Sequence, residues 1–140
     1  MVKKITQKEI LNKPAKGRKR KAKNNSETLV ELVIKGMQEK KAEEIIKIDF
    51  KKINNSICDY FIICHGNSGT HANSISDSIE FEVGEKLNTK PWHKEGIRNA
   101  EWILLDYINV VVHIFQYETR NFYRLENLWG DAEITKIEQN

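Results

Sequence analysis

Residues 57–64 read ICDYFIIC and run directly into residues 65–70, HGNSGT. The first string is almost wholly apolar and rich in β-branched and aromatic residues, which predicts a central strand covered on both faces. The second is a cluster of Gly, Asn, Ser and Thr, the composition of a turn, and Ser68 or Thr70 is placed to cap a helix. Beyond it, Ala72, Ile75, Ile79, Val83 and Leu87 recur at helical spacing, giving a strand, turn, helix unit. That unit places the chain in the α/β class.

Working outward, Ser26 has the chemistry of an N-cap, Glu27 and Glu31 favour a helix start, and Val30, Val33, Ile34 and Met37 form a helical stripe ending near Lys41. Ile46, Ile48 and Phe50 alternate in residues 45–50, as in a half-covered strand. On the other side, Pro91 closes the central helix and Trp92 to Glu95 can form a short strand. Residues 101–106 and 110–115 are two β runs at hairpin spacing, so they should pair antiparallel. Phe122, Leu125, Leu128 and Trp129 then sit at helical intervals, with Gly130 suited to the stop. There is no internal repeat. The order of elements predicts a mixed sheet with helices packed on it.

A chain of 140 residues accommodates one domain with a real core. Its charge is strongly divided. Residues 1–26 carry ten Lys or Arg against the single Glu9, whereas residues 27–140 carry thirteen against nineteen Asp or Glu, a balance of −6. The basic stretch, residues 13–25 (KPAKGRKRKAKNN), has no apolar periodicity and is expected to be disordered. The expected organisation is therefore a basic extension over residues 1–25, a folded unit over 26–132 and a flexible tail over 133–140. An acidic body repels a phosphate backbone and suits a basic protein partner. In the extension, Lys16, Arg18, Lys19, Arg20 and Lys21 could touch RNA. No apolar run approaches the roughly 18 residues of a membrane span, and the first residues lack the apolar stretch of an export signal, so a cytoplasmic location is expected. Cys58 and Cys64 lie about 20 Å apart if extended, too far for a disulfide, and fit a reducing compartment.

The residues that could carry catalysis or metal binding lack the required pattern. HGNSGT has neither the Lys of a P-loop nor the spacing of a dinucleotide site; its bland reading is a tight connection with Gly at positive φ. Cys64, His65 and His71 show no paired ligand spacing, so neither a metal site nor a thiol nucleophile is expected. Glu80 and Glu82 would share a face on a strand, but on a helix they diverge by about 200° and cannot hold one magnesium ion. No cofactor is expected.

The hairpin offers more. If Asp106 opposes Asn109, then Trp102 opposes His113 and Leu104 opposes Val111 on one face of the sheet. A helix commonly covers such a face; left exposed, it would mark a protein interface rimmed by Glu95, Glu101 and Asp106.

These blocks resemble the ribosomal silencing factor family, also called iojap-related, over about residues 27–132. The carriers are residues 59–64 (DYFIIC) leading into His65-Gly66-Asn67-Ser68 and His71, then Glu95-Gly96, residues 101–106 (EWILLD) and 110–115 (VVVHIF), and finally Arg120, Tyr123, Leu125-Glu126 and Leu128-Trp129. The resemblance implies a five-stranded mixed sheet flanked by helices, shaped like a nucleotidyltransferase but without catalytic carboxylates. It implies a non-enzymatic translation repressor that binds the large ribosomal subunit at ribosomal protein L-fourteen and blocks joining of the small subunit. Relatives often look dimeric, so a homodimer is a further expectation. Trp102 falls on a position the family associates with the contact, with Leu104, Asp106, His113, Glu95, Glu101, Tyr123 and Trp129 as companions. The rivals are a nucleotidyltransferase-like enzyme and an RNA-binding ribosome assembly factor acting through the basic extension.

Overall fold

A computed structural model describes residues 23–138 of the chain. In order, the elements are α1 (Lys23–Glu39), β1 (Glu43–Asp49), β2 (Tyr60–Gly66), α2 (Gly69–Leu87), β3 (His93–Glu95), β4 (Trp102–Asp106), β5 (Val110–Gln116), α3 (Tyr117–Tyr123), a 3-10 turn (Leu125–Leu128) and β6 (Glu133–Lys136). The six strands lie in the order β3-β4-β5-β2-β1-β6. Only β2 and β5 run parallel; the other neighbours are antiparallel. The fold is thus the expected mixed α/β sheet, one strand wider than the resemblance implied.

Every residue of β2 is buried, as its unbroken apolar run requires of a strand between two layers. On one face Ile62 and Cys64 of β2, with Ile103, Leu105, Val112 and Ile114 of the hairpin, meet Val33 and Met37 of α1 and Ile75 and Ile79 of α2. The two helices cross closely because Gly36 offers no side chain: a Cβ there would lie 2.7 Å from the Ile79 backbone. On the opposite face Ile46, Ile48, Phe61, Ile63, Trp102, Leu104 and Phe115 form a second core with Phe50, Cys58 and Leu125. Both cysteines are free and buried, one in each core, so no disulfide joins them.

Several expected boundaries shift for identifiable reasons. Ser26 lies inside α1, which begins at Lys23, rather than capping it, and its hydroxyl donates to the buried Asp59 carboxylate at 2.7 Å. Ser68 does cap α2, accepting from the His71 N–H at 3.0 Å. Gly66 and Gly69 of the HGNSGT turn do not adopt positive φ. Instead, a Cβ on Gly66 would meet the His71 ring at 3.0 Å, so the need there is for space.

The expected C-terminal helix is broken. Arg124 takes a left-handed conformation (φ 47) between α3 and the 3-10 turn, which buries Leu125 while leaving Phe122 exposed. Residues 133–136, expected to belong to a flexible tail, form β6 and pair with β1 from Ile46↔Lys136 to Asp49↔Glu133. The acidic Glu133 and basic Lys136 mask a strand whose apolar content is a single Ile134. Residues 1–22 lie outside the described residues, and among the described residues no helix is long and apolar enough to cross a membrane.

Candidate docking surface

The β4–β5 hairpin pairs Trp102 with Phe115, Leu104 with His113 and Asp106 with Val111. This register is two residues away from the expected one, and a shift of two keeps every side chain on its expected face. The turn explains the shift. Tyr107 N–H donates to the Val110 carbonyl at 2.8 Å, leaving Ile108 and Asn109 as the loop, and Ile108 accepts positive φ (78) there. Asp106 contributes by accepting from the Ile108 N–H at 2.8 Å.

The face that carries Trp102 is covered. Trp102 is 1% exposed, and Leu104, Asp106 and His113 are buried beside it. These four do not form an exposed patch, and the expectation of one is corrected. The physical cause is a lid of aromatic and aliphatic side chains from the C-terminal segment. Tyr123 lies 4.8 Å from the Trp102 ring, Trp129 lies 5.1 Å from Phe61 and 5.3 Å from Phe50, and Leu125 is sealed between them. Beneath the lid, Trp102 Nε1 donates to His113 Nδ1 at 3.0 Å, which satisfies a polar indole that burial would otherwise penalise. Asp106 belongs to the turn, not to an acidic rim.

The outside of the lid is where apolar surface meets water. Phe122 is 75% exposed and stands edge-on to Tyr123 at 5.0 Å; Tyr117 and Leu128 are exposed as well. Tyr123 and Trp129 are half-buried. Glu101 is exposed at the same end of the sheet, where β4 begins and β5 hands over to α3. Glu95, half-buried, accepts from His93 Nε2 at 2.7 Å. Gly96 (φ 81) carries the chain from Glu95 toward β4; a Cβ there would overlap the Trp102 carbonyl. Reading the helical spacing as one continuous helix hides Phe122, because the left-handed Arg124 rotates its face outward.

The lid is fastened at one point by a buried cation. Arg120 is 6% exposed; its Nη1 donates to the Glu43 carbonyl at 3.3 Å and to His65 Nδ1 at 3.0 Å, and its Nε to Glu126 at 3.4 Å. One side chain thereby joins β1, β2, α3 and the 3-10 turn. Burial and the neighbouring guanidinium hold His65 below the usual imidazole range, against the upward pull of Glu44, Glu43 and Glu126. Burial pushes the Cys64 thiol up to about 12, so it is no nucleophile.

Cys64, His65 and His71 do not converge. Cys64 faces the helical core, His65 the Arg120 side, and His71 bonds the Asn67 N–H and the Lys40 carbonyl. Among the described residues no group of three His, Cys, Asp or Glu side chains is placed to hold a metal ion. Glu80 pairs with Lys94 at 3.2 Å and Glu82 with Lys35 at 3.5 Å, in different directions as the helix requires. Lys16, Arg18, Lys19, Arg20 and Lys21 lie outside the described residues.

The chain is 35% identical over 114 residues to the ribosomal silencing factor of Halalkalibacterium halodurans, covering 81% of this chain and 96% of that one. It is also 35% identical over 115 residues to the silencing factor of Bacillus subtilis, covering 81% and 95%. A crystal structure of a protein from Bacillus halodurans superposes with a TM-score of 0.66 at 32% identity, covering 80% of this chain and 98% of that one. The family model described as ribosomal silencing factor during starvation matches residues 23–140, spanning both long helices, all six strands and the aromatic lid, and the chain belongs to that family.

Proposed function

We propose that this chain represses translation in the cytoplasm by docking on the large ribosomal subunit at ribosomal protein L-fourteen and obstructing the approach of the small subunit. Nothing is catalysed; occupancy of the surface is the mechanism. The observation that carries this reading is the lid, whose short C-terminal segment leaves Phe122 exposed against a half-exposed Tyr123, with Tyr117 exposed before them and Trp129 half-exposed after them, on a body whose residues 27–140 balance at −6. Aromatic anchors on an acidic body suit a basic protein partner, with charge guiding the encounter and the rings supplying most of the affinity.

In this reading Glu101, Glu95, Tyr123, Trp129 and Phe122 make the contact. Trp102, Leu104, Asp106 and His113 act from below, holding the lid in shape. Lys16, Arg18, Lys19, Arg20 and Lys21 add a salt-sensitive grip on ribosomal RNA. A chain starting at Lys23 should then keep most of its large-subunit affinity but show a weaker salt dependence.

The test is sedimentation of the full chain with separated subunits. Retention by the large subunit, and inhibition of subunit joining, are the expected results. Phe122→Ala combined with Trp129→Ala should weaken retention by about tenfold or more. Undiminished inhibition of joining by that folded double variant would sink the proposed surface.

A further inference from the structure

Beside the lid, at the carboxyl ends of the parallel strands β2 and β5, lies a cleft of about 280 Å³ lined by Glu44, His65, Tyr117, Arg120, Arg124 and Glu126. Open α/β sheets bind ligands in the crevice outside the carboxyl ends of their strands. The volume lies near the lower end of small-molecule sites.

The donors in this cleft are arranged for an anion. A guanidinium can only donate, so Arg120 fixes His65 Nδ1 as an acceptor and puts the single imidazole proton on Nε2. Among the described residues, neither His65 Nε2 nor Arg120 Nη2 bonds to protein, and neither is a sealed atom. Arg120 meets only one carboxylate, through a single 3.4 Å contact, although its fork can take two parallel bonds. Arg124, whose Nε donates to the Asn121 carbonyl at 3.2 Å, also lines the cleft, together with Asn121 and Asn127.

We infer that the cleft binds a small sugar phosphate, with the phosphate held by Arg120, Arg124 and the Nε2–H of His65 while Glu44 and Asn127 take sugar hydroxyls. A tetrahedral phosphate accepts bonds from several directions, which matches donors on α3, on the left-handed connection after it and at a strand end. Glu44 opposes a second anionic group but accepts readily from hydroxyls, which favours one phosphate on a hydroxylated frame. The exposed ring of Tyr117, 5.4 Å from His65, offers an apolar wall for that frame. This site goes beyond the docking proposal and does not depend on it.

The experiment titrates the full chain with ribose 5-phosphate and with ribose, following backbone and imidazole resonances. Saturable shifts at His65, Arg120 and Asn121 with ribose 5-phosphate, but not with ribose, are expected, and inorganic phosphate should displace the ligand. Arg124→Asn keeps a residue that tolerates the left-handed backbone and removes the charge; it should weaken binding about tenfold. The inference is overturned if millimolar ribose 5-phosphate causes no saturable shift, if the shifts fall only in residues 1–22, or if Arg124→Asn binds as the parent does.

Discussion

The two faces of the sheet are covered in very different ways. One lies under α1 and α2, of 17 and 19 residues, whose aliphatic side chains interlock across the Gly36 contact. The other lies under the seven-residue α3, a four-residue 3-10 turn and the loop around Phe50, and it mixes aliphatic side chains with the aromatic Phe50, Phe61, Trp102, Phe115, Tyr123 and Trp129. The thick face serves to bury surface. The thin one buries Trp102 on its inner side and presents Phe122 on its outer side, so under the proposed docking mode packing and recognition share one short segment.

That contrast breaks first at Trp102. Trp102→Ala should cost about 3–5 kcal/mol in urea unfolding, since it empties a sealed aromatic site and strips His113 of a hydrogen bond. Its effect on ribosome binding should track the loss of folded protein, which distinguishes a supporting residue from a contact. On the thick face, Gly36→Val should cost about 1–3 kcal/mol by forcing α1 away from Ile79. It should leave the intrinsic affinity of the folded molecules unchanged.

A smaller effect lies where Arg120 fastens the lid. His65 has a depressed pKa in the fold, so as pH falls the unfolded chain takes the proton first. Stability from this group is complete above about pH 6.5 and declines toward the folded value, by at most about 1.4 kcal/mol per pH unit. His65→Gln, which can still accept from Arg120, should flatten the unfolding profile between about pH 7 and 5. Least affected of all should be the stability of Phe122→Ala, within about 0.5 kcal/mol of the parent. A markedly destabilised Phe122→Ala would mean that the outer ring belongs to the core.

The sequence exposes the thick face more clearly than the thin one. Long stripes such as Ala72, Ile75, Ile79 and Val83 have only one interpretation, and the unbroken run of β2 can only be a covered strand. The thin face depends on one residue, Arg124, whose left-handed turn converts a plausible eleven-residue helix over 119–129 into two short pieces facing different ways. Arg has no special liking for that conformation, so nothing in its chemistry announces it. The depth of Trp102 is equally hidden, because an alternating strand gives the same pattern whether its second face meets a lid or a partner. Arg120 can be matched to the family without revealing that it bridges four elements.

The last strand carries a consequence of its own. β6 is short and fully exposed on its outer side, yet it occupies the free edge of β1 along four residue pairs, and Gln38 of α1 clasps the carbonyl of Glu138 just beyond it. Without β6, β1 would offer a bare row of N–H and C=O groups to the next molecule, the usual starting point for strand-to-strand aggregation. The charged ends of this small border piece therefore help keep the sheet from growing strand by strand into a neighbouring copy.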